Sequence, residues 1–429
     1  MGVRGALTAA VATATVAAGT LSGCGGDAGE QNKGPGKLTV WLMTGSAPAA
    51  LITELNKEFT DKHPGVAVDF QVQQWDGIQD KLTTALASND PPDIVELGNT
   101  QAPKFVTAGA LADLTADREA LGGAHWLQGL AATGEKGGKT YATPFYAANR
   151  IVVYRKDLFR KAGIKETPRS LDELLTAGEK LQAENGGKDF QALYLPGQSW
   201  YTLLSLVWAR GGDVARESGG TWKGTLDSPE AQEGFRDYAR LYEKLSKGPV
   251  DQDEANPQQA TVFAKGRVGM FVGLPWEIAT ATAAKGGDPK LADKIGAFPI
   301  PGPDGKPAPV FLGGSNLAVA AGSDAAKEAK DWLALILSEK YQTKLAAGGV
   351  VPALTNLGDS VFGDNQAATV MAEAAATGGR VTPPVPAWAA VEAGTNPIKD
   401  ALTKVLRGTE VTKASKQASD AITAKLAGR

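Results

Sequence analysis

The chain of 429 residues has one cysteine, two histidines and four methionines, and these scarcities set limits before any pattern is read. A single thiol cannot close an intramolecular disulfide, so stability has to come from packed apolar cores. His63 and His125 stand far apart and outside any H-E-x-x-H context, which disfavours a metal hydrolase. The G-x-S-x-G pentapeptide, the P-loop and the G-x-G-x-x-G fingerprint are all missing. Neither sign of charge dominates: 44 Lys and Arg face 47 Asp and Glu, a formal net charge of −3. That balance points away from nucleic acid and from a broad anionic surface. Beyond the N-terminal segment no stretch is long and apolar enough to cross a bilayer.

The lone cysteine, Cys24, is also the most informative residue present. It closes Leu21-Ser22-Gly23-Cys24 behind Arg4 and the apolar run from Ala6 to Thr20, which is too short and too rich in Thr to span a membrane. The tetrapeptide resembles a bacterial lipobox, which predicts cleavage before Cys24 and a lipid on its sulfur. The plainer alternative is an ordinary secretory signal that leaves a free thiol. Myristoylation is rejected, because Ala6 stands where that motif requires Ser or Thr. Residues 1–23 are therefore expected to be a signal peptide. Residues 24–36, Gly-rich and ending in Pro35-Gly36, are expected to be a flexible tether.

About 400 residues remain, more than one core usually holds, so two domains are expected. The body opens with an apolar strand, Lys37 to Leu42, followed by a helical pattern from Ala47 to Asp61 with Leu51, Ile52, Leu55 and Phe59 on one face. His63-Pro64-Gly65 ends it. A strand at Val66–Val72, a helix at Trp75–Ser88 and a short strand at Asp93–Leu97 follow. Strand–helix–strand–helix–strand is the pattern of a parallel, doubly wound α/β sheet. Ligands of such sheets sit at the carboxyl ends of the strands, which places Thr44–Ser46, Gln73–Trp75 and Gly98–Gln101 on one rim. Further on, strands are expected at Ile151–Tyr154, Val268–Phe271, Ile295–Ile300 and Gly313–Ala320. Helices are expected at Lys156–Ala162, Trp200–Ala209, Pro229–Ser246, Asp324–Leu337 and Thr395–Leu426. Ser170 with Glu173 has capping-box spacing.

The order of segments resembles the extracellular solute-binding proteins of ABC sugar importers, especially actinobacterial oligosaccharide-binding lipoproteins, with maltose-binding protein as a distant relative. The likeness rests on LTVWLM, PPDIVELGNTQAPKFVTAGALADLT, YATPFYAANRIVVYRKDLFRKAGI, FAKGRVGMFVGLPWE, GGSNLAVAAGSDAAKEAKDWLALILS and TPPVPAWAAVEAG, in that order. It implies a two-lobed periplasmic-binding-protein fold of type II character, each lobe a sheet flanked by helices, with the ligand cleft at the hinge. Lobe one would be 37–146 plus 313–351, and lobe two 147–312 plus 352–429. The resemblance also implies a membrane permease as partner, a monomeric receptor and no cofactor. It implies a lipid anchor through Cys24 on the outer face of the cytoplasmic membrane.

A sugar buries apolar C–H faces and polar edges together, so its site needs aromatic platforms and short donor–acceptor side chains. Trp276 lies just past a strand and Trp388 precedes a C-terminal helix; the family places stacking aromatics in both segments. Trp200 or Tyr201 would supply a third platform, and Trp75 a fourth. Asn99, Gln101 and Ser46 are polar candidates on the rim. Tyr146 and Asn149 stand near the first crossover between lobes, and Ser315 and Asn316 near the return. Glu277 and Glu96 could accept from hydroxyls, though each could equally be a structural cap. Where maltose-binding protein carries charged groups after its first strand, this chain has Thr44-Gly45-Ser46, which argues against a transfer of maltose specificity.

Several aromatics favour a di- or oligosaccharide, with chitobiose, xylobiose, cellobiose and α-glucosides all open. The competing readings are a binder of another small solute and a secreted glycosidase. No local signature singles out a catalytic carboxylate pair, and the neutral rim does not suit a polyamine.

Overall fold

A computed structural model describes residues 36–75 and 77–428; the signal segment, Cys24 and the tether up to Pro35 lie outside the described residues. The fold is mixed α/β. Ten strands carry it: β1 (Lys37–Met43), β2 (Ala67–Gln73), β3 (Ile94–Gly98), β4 (Thr143–Ala148), β5 (Ile151–Arg155), β6 (Gln191–Tyr194), β7 (Val268–Gly273), β8 (Ile295–Phe298), β9 (Gly313–Val319) and β10 (Val351–Pro352).

Strands β1 to β3 are parallel, with β1 between the other two. Each connection is a helix, Ala49–Lys62 and Ile78–Leu86, because parallel neighbours need a long crossover. Leu38, Val40 and Leu42 alternate inward along β1. They meet Leu51, Leu55 and Phe59 of the first helix, together with Trp332 and Tyr341. Fully burying each such side chain contributes about 1.5–3 kcal/mol. Three antiparallel strands complete this first sheet, in the order β10-β4-β9-β3-β1-β2.

The second sheet has the order β8-β5-β7-β6. Its core includes Val152, Leu203, Phe235, Tyr238 and Met270, and Trp388 and Ile422 from the C-terminal helices pack into it. The chain moves from β4 in the first sheet to β5 in the second through Asn149 and Arg150 alone, and it returns through Leu312 to β9. The two crossings lie side by side, with Ala148 opposite Gly313 and Ala147 opposite Gly314. Gly314 has φ +131°, and a Cβ there would stand 2.1 Å from the Tyr146 carbonyl oxygen, so only glycine fits this approach.

Two local expectations change. The second helix starts at Ile78, not at Trp75, because Gly77 with φ +68° blocks an earlier start. Trp75 is thereby left in a bend outside the helix. The single C-terminal helix expected over Thr395–Leu426 is two helices, Pro397–Leu406 and Val411–Leu426, separated at Gly408 with φ +91°. Ser170 caps its helix as expected, its hydroxyl accepting from Glu173 N–H at 3.2 Å, while the Glu173 carboxylate reaches one residue further back than a capping box requires, to Arg169 N–H at 2.7 Å. A helix at Gln366–Gly378, not foreseen in the sequence, is capped by Asn365, which accepts from Ala368 N–H.

Candidate functional site

Because β1 lies between β2 and β3, the strand order reverses at its carboxyl end, where open α/β sheets leave a crevice. Beneath that rim sits Glu96 of β3, fully buried. It accepts from Met43 N–H at 2.7 Å, Ser46 Oγ at 2.7 Å and the Tyr146 hydroxyl at 3.3 Å. Ser315 donates in turn to the Tyr146 oxygen at 3.3 Å. Burial raises the Glu96 carboxyl above the ordinary carboxylate range, against the lowering effect of these donors. Ser46, Tyr146 and Ser315 are thus brought together, but around Glu96 and below the surface. There they bolt β1, β3, β4 and β9 together.

The crossings are tied to the rim by Asn99, whose amide donates to the Leu312 carbonyl at 2.9 Å and whose N–H donates to the Gly314 carbonyl. Asn316 is buried; its amide donates to Thr133 Oγ1 at 2.6 Å, and its Oδ1 has no protein partner. Asn149 differs: it is buried, yet neither its amide nitrogen nor its oxygen has a protein partner. Its neighbour Arg150 pairs with Glu254 and lies 4.0 Å over the Tyr201 ring. Tyr201 stacks against Trp200 and Phe311, with centroids at 4.0 and 4.8 Å. Of the two candidate aromatics Trp200 is buried in the second core, while Tyr201 keeps accessible surface.

The aromatic expectations divide sharply. Trp75 and Trp276 are 40% and 39% exposed, and with Val72 they are, among the described residues, the large apolar side chains that face solvent. Trp75 and Gln101 both flank Gly98 at the end of β3; a Cβ on Gly98 would meet them at 3.5 and 3.8 Å. Gln101 Oε1 is buried without a protein partner. Trp276 opens the helix Trp276–Thr282 just after β7. Its neighbour Glu277 turns inward and accepts from Leu274 N–H at 2.8 Å, Gln258 Nε2 at 3.0 Å and Gln259 Nε2 at 2.9 Å. Burial lifts the Glu277 carboxyl to about 7. Glu277 thus ties the turn at Leu274, just ahead of its own helix, to Gln258 and Gln259.

Trp388, expected from sequence as a stacking platform, is fully buried and presents no ring face to solvent. Its indole N–H donates to Glu392 Oε1 at 2.8 Å, and Thr100 donates to Glu392 Oε2 at 2.9 Å. Thr100 belongs to the β3 rim and Trp388 to the second core, so Glu392 bridges the two sheets. Burial raises its carboxyl above the ordinary range; the two donors and Lys399 act in the opposite direction.

Sequence reading missed Thr100, Arg150, Glu254 and Glu392. Two signals pointed to them: Arg150 directly follows Asn149 in the crossing, and Trp388 and Glu392 have i, i+4 spacing. A surface hollow of about 720 Å³ lies along Ile164, Pro168, Asp172 and Lys180 and contains none of the rim residues. The rim at the carboxyl end of β1, beside the two crossings, is the better candidate. Among the described residues no group of three His, Cys, Asp or Glu is placed to hold a metal ion. No described helix is long and apolar enough to cross a membrane.

Residues 44–343 match the model of the family described as bacterial extracellular solute-binding protein. The chain belongs to that family. It is a binding protein, not an enzyme. As a solute-binding protein it is 43% identical over 421 residues to the diacetylchitobiose binding protein DasA of Streptomyces coelicolor, covering 95% of this chain and 96% of the relative. In three dimensions it is similar to the GacH receptor of Streptomyces glaucescens, a structure described unliganded and with acarbose. That match has 27% identity, a TM-score of 0.78, and covers 91% of this chain and 98% of the receptor. The maltose-bound MalE3 of T. maritima, at 22% identity and a TM-score of 0.75 over 90% of this chain and 98% of its own, shares the fold.

Proposed function

We propose that this solute-binding protein is the receptor of an ABC sugar importer, that it captures a di- or oligosaccharide outside the cell, and that the sugar is an N-acetylated amino disaccharide of the diacetylchitobiose kind. The observation that carries this reading is the 43% identity to a diacetylchitobiose binding protein along nearly the whole of both chains. The exposed indoles of Trp75 and Trp276 fit it, since each offers an apolar face beside the carboxyl end of a strand. Gln101 adds an unpartnered acceptor and Asn149 an unpartnered donor and acceptor, which match hydroxyl and acetamido groups.

In this reading the two sheets mark two lobes, 37–146 plus 313–351 and 147–312 plus 352–429. Asn149–Arg150 and Leu312 act as hinge crossings. Sugar entering between the lobes shifts the population toward a closed form that docks on the permease. Cys24 carries the lipid that holds the receptor on the outer face of the cytoplasmic membrane. The test is a thermal-shift panel of diacetylchitobiose, cellobiose, xylobiose, maltose and acarbose. A ligand at 100 times its Kd stabilises the native state by about 2.7 kcal/mol. The largest rise is expected with diacetylchitobiose; a larger rise with an α-glucoside would replace the amino-sugar assignment, and no rise with any sugar would overturn sugar capture.

A further inference from the structure

Three carboxylates and two cations gather near Tyr201. Arg150 is taken by Glu254, and Lys399 by Asp253 at 2.6 Å. Glu392 is the carboxylate left over. Among the described residues no cation bonds to it, and its two oxygens receive one neutral donor each, from Trp388 and Thr100. A carboxylate can accept about four hydrogen bonds, so half-buried Glu392, with one protein donor on each oxygen, keeps acceptor capacity for a further donor. Its two donors also differ in kind. Trp388 is locked in the second core, whereas Thr100 stands on the β3 rim beside Gln101, whose own Oε1 has no protein partner.

We propose that Glu392 is the specificity carboxylate of the sugar site: Trp388 fixes its Oε1, and its Oε2 exchanges the Thr100 hydroxyl for a hydroxyl or amide N–H of the bound sugar. The proposal rests on the sugar-binding reading above. The exchange explains why a large tryptophan is fully buried in a segment where a stacking platform was expected. It also gives ligand capture a link between the sheets, since the atom that receives the sugar is the one now tying Thr100 to Trp388. Its raised carboxyl is consistent with a group that waits for a further donor.

The experiment is calorimetric titration with diacetylchitobiose, between about pH 4.5 and 8, of the wild-type protein, Glu392→Gln and Thr100→Val. Lys399 acts on Glu392, Lys425 bonds the Ala390 carbonyl of its helix, and Arg150, Glu254 and Asp253 act with it on Tyr201, so the comparison with Glu392→Gln isolates its own contribution. Loss of one hydrogen bond to a charged group corresponds to about a ten- to hundredfold weakening, expected for Glu392→Gln at neutral pH. Wild-type affinity should fall toward acid pH as the acceptor is protonated, and this fall should be much smaller in Glu392→Gln. Thr100→Val should bind as tightly as wild type or more tightly, because it removes only a competitor for Oε2.

Unchanged affinity in Glu392→Gln overturns the proposal, as does a Thr100→Val loss equal to that of Glu392→Gln, which would make the bridge a mere brace. If Glu392→Gln does not fold, the Glu392 carboxyl resonance of the wild type is followed by NMR. Sugar should then lower its pKa, and no change overturns the proposal. Absence of binding by the wild type, to this sugar and to the panel, overturns both this inference and the sugar reading.

Discussion

The indole N–H of Trp388 donates to Glu392 Oε1 at 2.8 Å, four residues along one short helix, and the other oxygen of that carboxylate holds Thr100 across the gap between the sheets. The aromatic ring is spent on the core, and the chemistry is passed to its neighbour. Removing the ring should therefore act on stability first. Trp388→Ala is expected to cost about 3–5 kcal/mol in denaturant unfolding, the range for emptying a buried aromatic site. Trp388→Phe should keep most of the packing but lose the donor to Glu392.

The exposed tryptophans should behave in the opposite way. Trp276→Ala and Trp75→Ala leave the cores intact and should shift the unfolding midpoint little. If either ring stacks on a sugar, its loss should weaken binding by about 1–3 kcal/mol, the range for a single aromatic stacking contact on a nucleic-acid base. Calorimetry checks this, and an unchanged Kd removes that ring from the site.

Gly314→Ala places a methyl against the Tyr146 carbonyl and forces a residue with a side chain into φ +131°. A loss of at least about 1–3 kcal/mol in urea unfolding is expected. Nearby Gly305, with φ +81° but open space around its Cβ position, is the control for backbone strain without the clash.

Stability should fall as the pH rises from about 4.5 to 7. The folded state raises the Glu277 carboxyl to about 7 from an ordinary value of 4.5, so across that interval it binds more protons than the unfolded chain. Stability rises with pH only where the unfolded state binds more protons, so the slope here is negative. Glu96 and Glu392, also raised by burial, add to it in the same direction. Glu58 acts oppositely and lower down. Held at about 2 by Lys340, Lys62 and Tyr341, it favours the fold above its unfolded value, and that contribution is lost as the pH falls toward 2. Unfolding series at successive pH values should show a shallower slope between about 4.5 and 7 in Glu277→Gln.

Cys24→Ser should release the protein from membranes into the medium, since the lipid would have no sulfur to join. Retention of this variant in the membrane fraction would remove the proposed anchor.

Periodic segments were legible in the sequence because one residue pattern serves one face. Leu51, Ile52, Leu55 and Phe59 announced the first helix, and the alternation of Leu38, Val40 and Leu42 announced β1. What sequence could not show was direction. Ser46, Tyr146 and Ser315 are polar residues at the right strand ends, yet a single buried acid, Glu96, draws all three inward. Trp75 and Trp388 are both tryptophans next to helices, and only the packing around them makes one exposed and the other internal. Arg150 and Glu254 lie about a hundred positions apart, so no local pattern could pair them. The break at Gly408 was visible as a glycine, but a helix tolerates such a residue at modest cost, and only its positive φ marks the end.

The most direct measurement is a calorimetric titration of the purified protein with diacetylchitobiose at neutral pH. The account predicts saturable one-to-one binding, stronger than that of maltose or cellobiose under the same conditions. Absence of binding heat, together with an unchanged melting temperature, would contradict it.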